Sequence, residues 1–237
     1  MRINSRVDAA ELEKERAVLS PEESHHLARV LRVQPGQDIT LFDGLGGVSE
    51  GTIEAVSKTA VTVRISKHWK VPKPDVEIDL IQAIPKLDRW ELVLQKAVEL
   101  GATTIRPVLS AHTEFRPNPK KQARWEKIVL NAAQQCEVRW LPDLQPLSSY
   151  EAILPTLGSY DLVLIGSLYA GAKPFREVPM SEKKRVALLI GPEGDFSEAE
   201  VAAAMEAGAV PVSFGNRILR TETAAIFGLS VLAYELL

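Results

Sequence analysis

The sequence holds a single cysteine, Cys136, so no disulfide can form within the chain. Its four histidines, His25, His26, His68 and His112, lack cysteine or histidine partners at the spacings of a zinc site. No structural metal is expected. Long apolar runs are missing as well, since nothing approaches the roughly 18 consecutive apolar residues that a membrane span needs. The N-terminus, with Arg2, Arg6 and several early acids, has no apolar signal segment. A cytoplasmic protein without a membrane partner is expected. The G-x-G-x-x-G dinucleotide fingerprint after a strand, the G-x-x-x-x-G-K-S/T phosphate loop and the G-x-S-x-G esterase elbow are absent. Internal repeats and low-complexity segments are absent too.

What remains is ample for packed cores. The 237 residues, 46% of them hydrophobic, permit one large domain or two smaller ones. A net charge of -3 argues mildly against a nucleic-acid partner, but the distribution of charge argues the other way. Residues 57–74 hold Lys58, Arg64, Lys67, Lys70 and Lys73 without an acid, and residues 115–125 hold Arg116, Lys120, Lys121 and Arg124, again without one. A charge run ordinarily means a solvated face. Two acid-free clusters in one acidic chain weigh against that for both.

In chain order, Ser20-Pro21-Glu22-Glu23 is a capping box with proline at the first helical position, which predicts a helix from Pro21 to about Leu31 with Leu27, Val30 and Leu31 facing a core. Residues 38–67 shift to short apolar alternations broken at 43–47 and 57–59, a small β-meander. Pro72 and Pro74 mark a linker, with a boundary placed after residue 72. Beyond it, strands are expected at 76–84, 104–109, 161–166, 185–190 and 210–214. The helices expected between and after them are one opened by a capping box at 88–91 and stopped by Gly101, one at 120–135, a short one opened by Ser148 with Glu151, one from Glu198 to Ala207 ended by Gly208, and a last one to the C-terminus. Alternating strands and helices mean an α/β domain with a parallel sheet.

Chemistry concentrates in two stretches. Residues 188–197, LLIGPEGDFS, read as strand, glycine-bearing loop and a helix capped by Ser197 with Glu200. Residues 217–225, RILRTETAA, form a polar island ahead of an apolar helix. Gly166, Gly191 and Gly215 each stand at a strand end, where open α/β sheets bind ligands and where an absent side chain lets a flat adenosine approach backbone. In RTET, the polar residues are also compatible with a plain helix N-terminus, with Thr221 or Thr223 as cap. The apolar residues 224–234 carry no charge, so the last helix must be covered on more than the face its own sheet can reach.

GPEG-x-FS followed by RILRTETAA resembles the RsmE family of 16S rRNA uracil-N3 methyltransferases in the SPOUT superfamily. The resemblance extends to Lys86 with Glu91, Lys96, Glu99, Leu100 and Gly101, to Arg124-Trp125 with 132–135, and to His26 with Val30-Leu31-Arg32, and so spans nearly the whole chain. It implies a PUA-like β-barrel RNA-binding domain, residues 1–72, then a SPOUT methyltransferase domain with a C-terminal trefoil knot, residues 73–237. It implies S-adenosylmethionine as cofactor, 16S rRNA within the small ribosomal subunit as partner, and a homodimer with the donor pocket at its interface.

The donor pocket so implied holds Leu164, Gly166, Leu189, Ile190, Gly191, Gly194, Phe214, Gly215, Ile218, Leu219 and Thr223. Arg220 is the candidate catalytic cation, and Glu222 orients it or acts as base. RNA contacts are expected from His26, Arg29, Arg32, Lys86, Arg116, Lys120, Lys121, Arg124, Arg139 and Arg217. The chain departs from the family pattern at Asp195, where glycine usually follows GPEG, and at Gln134, where glutamate is frequent; the arginine expected near 137–139 is shifted or replaced. Another SPOUT enzyme acting on a different rRNA or tRNA nucleotide, a non-catalytic rRNA-binding assembly factor, and an α/β enzyme on a small metabolite are the competing readings.

Overall fold

A computed structural model describes residues 3–57, 59–114, 117, 119–168 and 171–237, and within these not the side chains of Leu87, Pro119 and Lys120. The chain divides into two units. One comprises Met1–Lys73 and Ala133–Leu141, the other Pro74–Ala132 and Pro142–Leu237. A single boundary at residue 72 therefore does not describe the division, because residues 133–141 return to the first unit.

The first unit contains β1 (Asn4–Arg6), α1 (Ala9–Leu12), β2 (Arg16–Val18), α2 (Pro21–His25), β3 (Asp38–Phe42), β4 (Gly47–Val56) and β5 (Val61–Lys70). They build a five-stranded sheet in the order β1-β3-β4-β5-β2, in which β1 and β3 are parallel and the other pairs antiparallel. The meander follows from alternation: Ile39 and Leu41 on β3, Ile53 on β4, and Val61 and Val63 on β5 all point into one core with Leu12 and Leu27. Residues 139–141 complete this unit. Gly46 N donates to the Arg139 carbonyl at 3.0 Å and Leu141 N to that of Gly44 at 2.9 Å, while Trp140 Nε1 donates to Val71 O at 3.1 Å.

Ser20 caps α2 as expected, accepting from Glu23 N. The helix does not continue as an α-helix to Leu31. After His25 it widens into a π-helix, His26–Leu31, which Arg32 ends in the left-handed region at φ 52°. The wider turn rotates Val30 and Leu31 out of the expected core face, leaving Val30 63% exposed while Leu27 stays buried.

The second unit contains β6 (Glu77–Ala83), α3 (Leu87–Glu99), β7 (Thr104–Leu109), α4 (Pro119–Cys136) as far as Ala132, β8 (Asp143–Leu144), β9 (Ser148–Ser149), α5 (Tyr150–Ile153), β10 (Leu162–Gly166), β11 (Lys173–Pro174), β12 (Arg185–Ile190), α6 (Glu198–Glu206), β13 (Val210–Ser213) and α7 (Thr221–Leu236). The strands form a sheet in the order β11-β13-β10-β12-β6-β7-β8, with β9 also on β7 and every pair parallel. The central strands are apolar along their length because helices bury both faces: Ile78, Leu80 and Ile81 of β6 and residues 186–190 of β12 are nearly inaccessible. Each such side chain contributes about 1.5–3 kcal/mol by leaving water. Trp90 of α3 meets Trp125 of α4 edge to face, with ring centres 5.5 Å apart.

Helix ends largely follow local chemistry. Gly101 and Gly208 take the left-handed conformation just past α3 and α6, and Ser197 with Glu200 forms a reciprocal capping box. Elsewhere the local signal misleads. Lys86, not Asp88, stands at the N-cap of α3 and offers no side-chain bond. Ser149 rather than Ser148 caps α5. Neither Thr221 nor Thr223 caps α7, whose N-cap is Arg220.

Candidate active site

The carboxyl ends of β10, β12 and β13 open onto one cleft of about 310 Å³, closed on its far side by residues 217–221 and the start of α7. Its walls include Gly166, Ser167 and Leu168 after β10, residues 190–195 after β12, and Phe214 and Gly215 after β13. The expected convergence of strand-end glycines is thus realised. A Cβ on Gly166 would approach the Phe214 ring to 2.9 Å, and one on Gly191 would approach Asp195 Oδ1 and Phe196 N equally closely. Gly215, at φ 114°, faces open space. Phe214 is held by tilted ring contacts with Phe175 and Phe227, at 5.4 and 5.6 Å.

A buried amide joins the walls. Gln82, at the end of β6, directs Nε2 at Thr221 Oγ1 (2.9 Å) and at the carbonyls of Ala83, Ile190 and Gly191. Thr221 Oγ1 in turn donates to Gly191 O at 2.6 Å. Three distant stretches of chain therefore share one hydrogen-bond knot in a site with almost no water access, where each such bond is hard to replace.

Charge is arranged around Arg89, in the first turn of α3. Its Nη1 lies 3.1 Å from Glu193 Oε1, and its Nε lies 3.9 Å from Glu222 Oε1. Lys86 N also donates to Glu193 Oε1. Glu222 is buried, and its Oε2 has no hydrogen-bond partner among the described residues. Its cation is Arg89 and not Arg220, as the sequence reading had it. Arg217 and Arg220 line the cleft as exposed side chains, with no ion pair among the described residues. Below the loop after β12, His112 Nδ1 sits 3.0 Å from the carbonyls of both Gly194 and Asp195.

Of the expected donor-pocket residues, Gly166, Ile190, Gly191, Phe214, Gly215, Ile218 and Leu219 line the cleft. Leu164 and Leu189 are core residues of their strands, fully buried behind it. Gly194 packs on His112, and Thr223 is exposed on the outer side of α7; neither is part of the lining. Sequence reasoning missed Arg89, Gln82, Ser167 and Asp195 as lining or fastening residues. The signal for Arg89 was present in a stretch read only as a helix start.

The RNA-contact candidates fall on separate stretches. His26, Arg29 and Arg32 belong to the π-helix and its end, and both arginines are exposed. Arg124 is exposed but paired with Glu91 at 2.8 Å. Lys86 and Lys121 lie at the starts of α3 and α4. Arg139 is held inside the first unit, with Nη1 3.2 Å from Asn4 Oδ1 and its guanidinium over the Phe42 ring. Arg116 and the Lys120 side chain lie outside the described residues. Among the described residues, no group of three or more His, Cys, Asp or Glu could hold a metal ion, and no helix is long and apolar enough to cross a membrane.

A parallel sheet with a ligand cleft at its strand ends, walled by a C-terminal segment that returns to it, is that of a SPOUT-type RNA methyltransferase, here with a PUA-like unit ahead of it. The family model described as RNA methyltransferase domain matches residues 72–233, and that described as RNA methyltransferase PUA domain matches residues 19–66. The small-subunit ribosomal RNA methyltransferase E of Synechocystis is 31% identical over 218 residues, covering 90% of this chain and 71% of its own; that of Bacillus subtilis is 29% identical, covering 92% and 89%. Among solved structures, a methyltransferase of Legionella pneumophila with its cofactor SAM superposes with a TM-score of 0.91 at 34% identity, covering 99% of this chain and 98% of that one. The methyltransferase E of Neisseria gonorrhoeae, bound to S-adenosyl methionine, gives 0.89 at 31%, with the same coverage. The chain belongs to the ribosomal RNA small subunit methyltransferase E family.

Proposed function

We propose that this chain methylates N3 of a specific uridine in 16S rRNA, in the decoding region of the small ribosomal subunit, with S-adenosylmethionine as donor. The observation that carries the reading is the strand-end cleft with Arg217 and Arg220 on its rim, cations without an ion-pair partner among the described residues. The cleft fits the donor: its volume suits a ligand of that size, its walls at 166–168, 190–192 and 214–219 present backbone polar groups, and the open side of Gly215 leaves room for a flat ring. When bound, S-adenosylmethionine supplies an electrophilic methyl group on a sulfonium.

The chain's own residues do the rest. Uracil N3 carries a weakly acidic imide proton, and its loss to water leaves negative charge on N3 and the flanking carbonyl oxygens. Arg220 meets that charge with a preorganised donor, and Arg217 does so or holds a neighbouring phosphate. Arg89, clamped between Glu193 and Glu222, holds the Glu222 side chain in place beside the cleft. A base inside folded rRNA must be turned out of its stack to reach the cleft.

We infer a homodimer through α7. Phe227 is 41% and Tyr234 87% exposed on a helix with no charge from Ala224 to Tyr234, whereas the other side packs on α3, β6 and β12. A cytoplasmic location follows from a ribosomal substrate. A C-terminal knot is supported by the course of the chain, which runs from β13, beyond β10, back across the cleft to pack α7 on β12 and β6. The deciding experiment is mass mapping of modified nucleotides in 16S rRNA from cells with and without the gene. Loss of one 3-methyluridine is expected; an unchanged 16S map, or loss of a methyl group from another base or from tRNA, overturns the reading.

A further inference from the structure

Asp195 occupies a position that suits glycine. Its φ of 61° lies in the left-handed region, which favours glycine over a residue with a side chain. The carboxylate is nonetheless held in place: Oδ1 accepts from Phe196 N at 2.8 Å and Oδ2 from Leu168 N at 3.3 Å, across the mouth between two walls of the cleft. His112 holds the same residue from below through its carbonyl. The side chain lines the cleft, and it makes no ion pair among the described residues.

The charge of the lining gives that carboxylate a task. Arg89, Arg217 and Arg220 all line the cleft, and of the lining carboxylates Glu193 is engaged by Arg89. Asp195 is the remaining acid in the lining, and among the described residues its carboxylate has only neutral backbone donors as partners. A cationic ligand entering beside the arginines is repelled unless this carboxylate answers it. Resting on the reading of the cleft as a methyl-donor site, we propose that Asp195 is a specificity-determining residue that selects the sulfonium-bearing donor over its demethylated thioether product. The two ligands differ only at sulfur, by the methyl group and the positive charge it brings. The rest is common to them, so a contact with ribose, adenine or the amino group affects both alike. Because Coulomb attraction acts across a cleft of this size in a partly desolvated setting, the selection does not require a direct contact.

The test is equilibrium binding of S-adenosylmethionine and of S-adenosylhomocysteine, by calorimetry, to the full chain and to Asp195→Asn and Asp195→Gly. The asparagine keeps an acceptor and removes the charge; the glycine relieves the backbone and removes both. In each variant the donor should bind about tenfold more weakly, while the product changes by no more than about twofold to threefold, so that their affinity ratio shifts by several-fold. Equal weakening of both ligands, or no weakening of either, overturns the inference. If the unaltered chain binds neither ligand, the donor-site reading itself fails, which is a separate result. Thermal melting of the free variants confirms that each is folded.

Discussion

The hydroxyl of Thr221 donates to the carbonyl of Gly191 at 2.6 Å, fastening the first turn of α7 to the end of β12 across the floor of the cleft. Both groups also face the amide of Gln82, so one strand end, one loop and one helix start are fixed together. The helix is thereby positioned by a tertiary bond and not by a cap of its own.

Replacing Thr221 by valine keeps the shape but removes the hydroxyl, leaving the Gly191 carbonyl dependent on Gln82 alone. The expected cost is about 1–3 kcal/mol of stability. Donor affinity should fall as well, because Gly191 and Ile190 shift with the loop. Thermal melting with and without S-adenosylmethionine checks both; an unchanged ligand-induced shift would detach this bond from donor binding.

Gly191→Val should abolish donor binding, for a reason that lies in the loop itself. Its Cβ would meet Asp195 Oδ1 and the Phe196 backbone nitrogen at 2.9 Å, and backbone cannot swing aside as a long side chain can. The turn from 191 to 196 must therefore open. Calorimetry reads the outcome, and retained micromolar binding would contradict it.

Arg220 and Arg89 should separate in kinetics. Arg220→Ala removes an unpaired rim cation, so kcat should drop by about 10²–10³ with little change in donor affinity. Arg89→Ala leaves the buried Glu222 without its cation and frees Glu193, so stability should fall by about 1–2 kcal/mol and donor affinity should weaken. Single-turnover rates together with donor titrations distinguish the two patterns.

How far these sites could be read in the sequence depended on whether the relevant chemistry was local. The Ser197–Glu200 box, the glycine ends of α3 and α6 and the apolar run of β12 are set by neighbours within a few residues, and all are visible in sequence. Gln82 is different. It sits in a strand that reads as simply buried, and its partner Thr221 lies 139 residues away. Arg89 was hidden because Asp88 to Glu91 fits a capping box that the backbone does not use. The strands β1 and β2, three residues each, are too short for alternation to register, and a π-helix shares the residue preferences of the α-helix that precedes it.

Alkaline pH should expose a different part of the fold. Burial, and then its hydrogen bond to Asp79, push the Tyr160 phenol from 10.0 up to about 12. The folded state holds this proton more tightly than the unfolded chain does, so the contribution is complete below pH 10 and disappears as pH rises from 10 to about 12. Denaturant unfolding of the native chain and of Tyr160→Phe across that range should show the difference between them narrowing as pH climbs. A constant difference would mean that Tyr160 titrates normally.

The return of residues 133–141 to the first unit also sets an order of events during synthesis. The N-terminal sheet leaves the ribosome first, yet the bonds that Arg139 and Leu141 make with Gly46 and Gly44, and the one from Trp140 to Val71, wait until residues 74–132 have been added. At about 5–20 residues per second this is a delay of seconds, long compared with the closure of a small sheet. The nascent N-terminal unit is therefore complete only after most of the first half of the methyltransferase unit has emerged, and a chain truncated at the proline linker would lack the bonds that residues 139–141 make.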